Sequence, residues 1–333
     1  MTDSNLALAT HELRKSYGSR LALDGLELSV PTGVVYGFLG PNGAGKTTTM
    51  RVLTGLIHAD GGSIELLGRP FTGRDRQRLF DVGALVETPA FYPYLSGRDN
   101  LRALAASGAH VPAPRIDEVL DIVGLRERSG DKVSRYSLGM KQRLGIAGAL
   151  LNDPKLLLLD EPSNGLDPAG IVAMRETLRH LASIGKTVFI SSHLLAEVQQ
   201  MADVVGIIAA GRLVREGSMK ELLASEGIVR VRVQPEEIPA AAATLGRLTS
   251  PDRVSASTLG PGWISVQITP DRSSEVNRTL AQTGIYASEM SGGNDLEELF
   301  LTLTAASSST DRDGRFATID RSAGRLPTAE VQS

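Results

Sequence analysis

Apolar and polar positions alternate along the chain at two different periods. Four short runs, VVYGFLG (34–40), KLLLLD (155–160), TVFISS (187–192) and VVGIIAA (204–210), are almost continuously apolar, as strands buried on both faces of a parallel sheet must be. They are separated by helix-spaced segments rich in glycine, so residues 1–225 read as an α/β domain in which these four strands lie side by side. Between about 88 and 150 the pattern changes: TPAFYPYLSGRDNLRALAASGAH and PRIDEVLDIVGL carry Leu, Ile and Val at helical spacing, broken by Pro and Gly. That stretch predicts an inserted helical lobe whose last helix opens at YSLGMKQR (136–143), with Leu144, Ala147 and Leu151 turned inward. Beyond 225, IVRVRV and WISVQI alternate strictly, AAAATLGRL reads as helix, and DLEELFLTLT puts Leu296, Leu299, Phe300 and Leu303 on one helical face. Residues 226–305 thus form a small α/β unit of order about βαββα, for which a ferredoxin-like arrangement is one option. Residues 306–333 lack apolar periodicity and read as a disordered tail.

Composition narrows the class. A chain of 333 residues with 41% apolar content has room for one large core and a smaller one. Its formal charge of -3 and pI near 6.0 give no electrostatic footprint for nucleic acid, which is not expected as a partner. The absence of cysteine excludes disulfides and thiolate metal sites and fits a reducing compartment. MTDSNLALATHELRKSYG has no basic segment followed by an apolar one, so no secretory signal is expected, and every apolar run falls short of the ~20 residues that span a bilayer. Any work at a membrane requires another chain to do the spanning.

Three constellations carry chemistry. GPNGAGKT (40–47) matches the phosphate-loop pattern, bracketed by Gly40 and Gly45 and placed between an apolar strand and a helix with Met50, Leu53 and Ile57 on its inner face. Glycines let successive N–H groups curl around one phosphate chain, the helix start adds its positive end, Lys46 reaches the β and γ phosphates, and the Thr47 hydroxyl offers an oxygen to Mg²⁺. KLLLLDEP ends a buried strand in Asp160, suited to holding Mg²⁺ through water, and Glu161, placed to act on an attacking water; a lone acidic pair at a strand end is otherwise a cap or a solvated turn. TVFISSH brings His193 to the end of a parallel strand, on the same edge as Glu161.

Taken in order, these motifs resemble the ATP-binding subunit of an ABC transporter, and the resemblance runs from residue 8 to about 220. It implies a P-loop NTPase fold: a RecA-like parallel sheet core with an antiparallel β subdomain and a helical signature lobe. It implies that Tyr17 stacks on adenine and that Gly40, Pro41, Asn42, Gly43, Ala44, Gly45, Lys46, Thr47 and Thr48 form the Walker A loop. Asp160 and Glu161 then close the Walker B strand, Asp167 belongs to the D-loop, and His193 is the switch histidine; Glu161, His193 and Lys46 are the implied catalytic set. YSLGMKQR aligns with the signature usually written LSGGQ followed by QR, which in this family covers the ATP of a second copy in a head-to-tail dimer. Ser137, Gly139 and Met140 are its implied contacts, the hydroxyl of Ser137 and the N–H groups of the helix start being left free for an anion.

Two departures stand out. Leu138 and Met140 replace the usual glycine and glutamine of the signature, and VETPAFYP puts Glu87 where the family's Q-loop normally places glutamine; its carboxylate can still give an oxygen to Mg²⁺ or orient water, and it adds negative charge beside the polyphosphate. Both variants resemble the bacitracin- and lantibiotic-resistance branch of exporters, in which the permease is a separate polypeptide. The implied protein is an ATPase bound to that transmembrane permease at the cytoplasmic face of the cell membrane, using ATP and Mg²⁺ to export an antibiotic, peptide or other amphipathic cargo. A soluble ABC ATPase acting on ribosomes or nucleic acid is the alternative. For Phe91, Tyr92 and Tyr94, a permease-docking surface and a small aromatic core stand as equal readings.

Overall fold

The computed structural model describes residues 5–72, 76–107, 111–225, 227–256 and 260–293. The expected terminal helix at 295–304 and the tail at 306–333 lie outside these residues. The chain divides into two compact units at Gly217/Ser218.

In the first unit, β1 (Leu6–Tyr17) and β2 (Arg20–Pro31) form an antiparallel hairpin closed by two residues, with Gly18 at φ 58, the left-handed conformation a tight hairpin turn demands. After β3 (Val35–Leu39) and α1 (Lys46–Leu53), β4 (Gly61–Leu66) and β5 (Arg69–Phe71) complete a four-stranded sheet of order β2-β1-β4-β5. β6 (Val82–Leu85) leads into the helical lobe of α2 (Gly97–Ser107), α3 (Ala113–Ile122) and α4 (Leu138–Ala149). The chain returns through β7 (Leu156–Asp160), α5 (Pro168–Ser183), β8 (Thr187–Ser192), α6 (Leu195–Met201), β9 (Val204–Ala209) and β10 (Arg212–Ser218). These strands build a second sheet of order β10-β9-β3-β8-β7-β6, in which β9, β3, β8, β7 and β6 run parallel. The four apolar runs are neighbours, as their composition requires, and every residue of β3, β7 and β8 is buried.

The core lies between the antiparallel sheet, the parallel sheet and α1, where Leu13, Leu26, Phe38, Met50, Leu158 and Ile208 meet. Phe189 anchors it, stacked on Tyr36 at 5.1 Å and tilted against Phe38 at 5.3 Å. α1 is shorter than its pattern: it ends at Leu53, and Ile57 reaches the core from the following turn. Tyr92 and Tyr94 are 54% and 64% exposed with rings 5.8 Å apart, so they form a surface pair and not a small core.

The second unit contains α7 (Met219–Ser225), β11 (Ile228–Arg232), α8 (Ile238–Leu248), β12 (Val254–Ala256), β13 (Trp263–Gln267), α9 (Ser273–Gln282) and β14 (Glu289–Gly293). From β11 onward the order is βαββαβ, with an antiparallel sheet of spatial order β12-β13-β11-β14, the ferredoxin-like connectivity. β14 corrects the βαββα reading. Its sequence, EMSGG, has no apolar alternation, and it becomes a strand by pairing along β11 from Arg232↔Glu289 to Ile228↔Gly293.

Candidate functional site

At the carboxyl end of the parallel strands lies a cleft of about 660 Å³, lined by Tyr17, Arg20, Ala22, Asn42, Gly43, Gly45, Lys46, Thr47, Thr48, Glu161, Asn164 and His193. Crevices at this end of an open α/β sheet are where ligands bind.

The floor is the loop between β3 and α1. Gly45 sits at φ 115 as the N-cap of α1, and a Cβ there would come within 2.7 Å of the Ala22 carbonyl oxygen, so only glycine fits between loop and β2. α1 starts with no side-chain cap and no acidic residue in its first turn, which leaves the N–H groups and positive pole of the helix facing the cleft. Lys46 is 6% exposed; its Nζ donates to the carbonyl oxygens of Gly40 at 2.7 Å and Pro41 at 3.3 Å and lies 3.4 Å from Glu161 Oε1. Arg20 Nη2 donates to the Gly43 carbonyl at 3.3 Å, bracing the loop from the hairpin.

The wall is built by β7 and β8. Asp160 pairs in register with Ser191, whose hydroxyl donates to Asp160 Oδ1 and accepts from the Glu161 amide at 3.0 Å. Glu161 occupies the left-handed region at φ 48, which for a non-glycine residue costs about 1–3 kcal/mol. This conformation turns the chain out of the strand while the carboxylate stays over the cleft. Glu161 Oε2 meets His193 Nδ1 at 2.7 Å, so one carboxylate bridges the loop lysine and the histidine. Behind them Glu197 on α6 accepts from Ser163; burial is the main cause that raises its pKa, and its field reaches His193 and Glu161.

Not every expected residue reaches this cleft. Tyr17, Asn42, Gly43, Gly45, Lys46, Thr47, Thr48, Glu161 and His193 line it; Gly40, Pro41, Ala44 and Asp160 support it from behind. Glu87, at φ 68, is ion-paired with Arg51 and does not line the cleft. Ser137 caps α4, and its hydroxyl accepts from the Met140 amide at 3.2 Å. The expectation that the whole helix start is free for an anion is corrected accordingly: the cap itself consumes the Met140 N–H. Asp167 caps α5 by accepting from Gly170 N at 3.1 Å, with Pro168 in the first turn. Arg20, Ala22 and Asn164 also line the cleft, and no sequence motif singles them out. Asn164 is brought in by the turn in which its N–H bonds the Glu161 carbonyl at 3.1 Å.

No cluster of three or more acidic, histidine or cysteine side chains suited to a metal exists among the described residues. A divalent ion fits here only in the Mg²⁺ manner, through one or two protein oxygens with phosphates and water completing the shell. Thr47 in the cleft and the buried Asp160 carboxylate are of that type.

A sequence model of the family described as ABC transporter matches residues 23–164. The bacitracin transport ATP-binding protein BcrA of Bacillus licheniformis is 50% identical over 210 residues, 63% of this chain and 69% of that one. The lantibiotic transport ATP-binding protein SrtF of Streptococcus pyogenes is 44% identical over 221 residues, 66% of this chain and 93% of that one. Among solved structures, CbiO1 of Clostridium perfringens, part of the ABC transporter complex CbiONQ, superposes with a TM-score of 0.61 at 26% identity over 73% of this chain and 97% of that one.

Proposed function

The chain belongs to the ABC transporter family of ATP-binding proteins, and from that premise we propose that it hydrolyses MgATP to drive export of an antibiotic, peptide or other amphipathic cargo. Bacitracin and lantibiotic transport, named for two relatives, support the cargo class. The relatives named as transport ATP-binding proteins support a path for the cargo through a permease on another chain, to which this subunit binds at the cytoplasmic face; no described helix is long and apolar enough to cross a membrane.

The observation that carries the reading is Glu161 held between Lys46 and His193 over the glycine loop. ATP lays its phosphates along the N–H groups of residues 40–48 and its adenine against Tyr17. Lys46 exchanges the Gly40 and Pro41 carbonyls for phosphate oxygens, which frees Glu161 from its nearest cation and leaves it to accept a proton from the attacking water. His193 orients that carboxylate and faces the γ-phosphate. Thr47 and Asp160 would hold Mg²⁺, which when bound would neutralise charge on the phosphates. Ser137 and Gly139, at the start of α4, complete the site of a second copy head to tail.

We place this cycle in residues 1–225 and give residues 226–305 an accessory role. The lantibiotic relative supports that division, since 221 aligned residues already account for 93% of it. The Glu161→Gln chain is expected to bind ATP with near-native affinity while turnover falls about 100-fold or more, the range of a lost general base. Phosphate-release kinetics beside an ATP-binding titration check this, and unchanged turnover would remove Glu161 from the role.

A further inference from the structure

The structure assigns a task to Arg51, which no motif marks: we propose that it is a positioning residue that neutralises Glu87 and ties the loop after β6 to helix α1. Arg51 lies in the last turn of α1, the helix that Lys46 begins. Its guanidinium forms a hydrogen-bonded ion pair with Glu87. Two segments distant in sequence, helix α1 and the loop after β6, therefore meet at one side chain.

The reason for such an arrangement is electrostatic. β6 runs parallel to β7 with Leu85 in register with Leu159, so Glu87 emerges on the same sheet edge as Asp160 and Glu161. Glu161 is matched by Lys46 and His193, and Asp160 by the Ser191 hydroxyl; Glu87 is the third carboxylate at this edge and Arg51 is its counter-charge. An exposed pair of this kind adds little to fold stability. Its effect falls instead on the potential met by a polyanion entering the cleft.

This inference rests on the nucleotide-binding reading, and a titration with the fluorescent probe trinitrophenyl-ATP on the full chain separates the two. Arg51→Gln is expected to weaken probe binding about three- to tenfold at an ionic strength of about 0.05 M, an effect that shrinks as salt shortens the Debye length. In a Glu87→Gln background the same change at 51 should cost less than about twofold, because no carboxylate remains to be neutralised, and Arg51→Lys with Glu87 intact should stay within about twofold of the native chain. Thermal unfolding midpoints establish that each variant is folded; a merely structural role for Arg51 would lower the midpoint and give the same loss in both backgrounds. Equal losses in the two backgrounds, a lysine variant as weak as the glutamine variant, or no effect of Arg51→Gln would each overturn the proposal. A native chain that does not bind the probe would overturn the nucleotide reading itself, and this inference with it.

Discussion

Single side chains in this molecule are held by burial and by charge in ways that can be titrated. Glu216 on β10 accepts from the Tyr36 hydroxyl at 2.5 Å and from the Ser29 amide at 3.1 Å, joining the parallel sheet to the antiparallel one. Burial, the largest cause, raises its pKa above the carboxylate norm of 4.5 despite those donors, and burial likewise raises that of Tyr36. A carboxyl group with a raised folded pKa favours the folded state most while protonated, so its contribution is full below 4.5 and is lost as the pH climbs through the raised value. Glu216→Gln keeps an acceptor for the tyrosine and removes the buried charge. Its melting temperature is expected to exceed that of the native chain by a margin that widens between about pH 4 and pH 7, and calorimetry across that range checks the sign. The residues that were legible in advance, Lys46, Asp160, Glu161 and His193, share one property: strand, turn and helix order alone carries each to the same sheet edge. Arg20, Arg51 and Asn164 were not legible, because each reaches its partner across a fold boundary or a turn that no local spacing encodes.

At the level of elements, contacts between backbones decide where chemistry can sit. α6 packs on β3 at Gly37, where a Cβ would lie 2.3 Å from Val198 Cγ1. Gly37→Ala is therefore expected to push α6 outward, costing about 1–3 kcal/mol of stability and reducing ATP turnover through His193, which lies just ahead of the helix. Denaturant unfolding and phosphate release measure the two effects. The parallel strands declared themselves through unbroken apolar runs. β14 did not, since it owes its conformation to the neighbouring strand and not to its own side chains. The α4 cap falls between these cases: the serine was predictable, but which N–H groups it leaves open depended on the geometry of the turn.

For the whole molecule, the division at Gly217/Ser218 predicts that a chain ending there folds and binds trinitrophenyl-ATP about as well as the full protein, the second unit having its own core of Val229, Val231, Leu245, Val266 and Leu280. Circular dichroism and probe titration on the truncated chain test it; loss of the fold would make the second unit structural. If the signature of one copy completes the site of another, specific ATPase activity should rise steeply with protein concentration while nucleotide binding does not. A turnover rate independent of concentration would contradict the head-to-tail pair.

The Ser191 hydroxyl that joins Asp160 to the Glu161 amide has a further meaning for how the protein comes into being. Side chains alternate between faces along a strand, so a one-residue slip of β8 against β7 that sets Ile190 opposite Asp160 would leave no hydroxyl there. A misaligned sheet would then have neither a fixed Asp160 nor a properly turned Glu161. Strand alignment and site geometry are in this way set by one contact: the register that pairs Asp160 with Ser191 is also the one that turns Glu161 over the cleft.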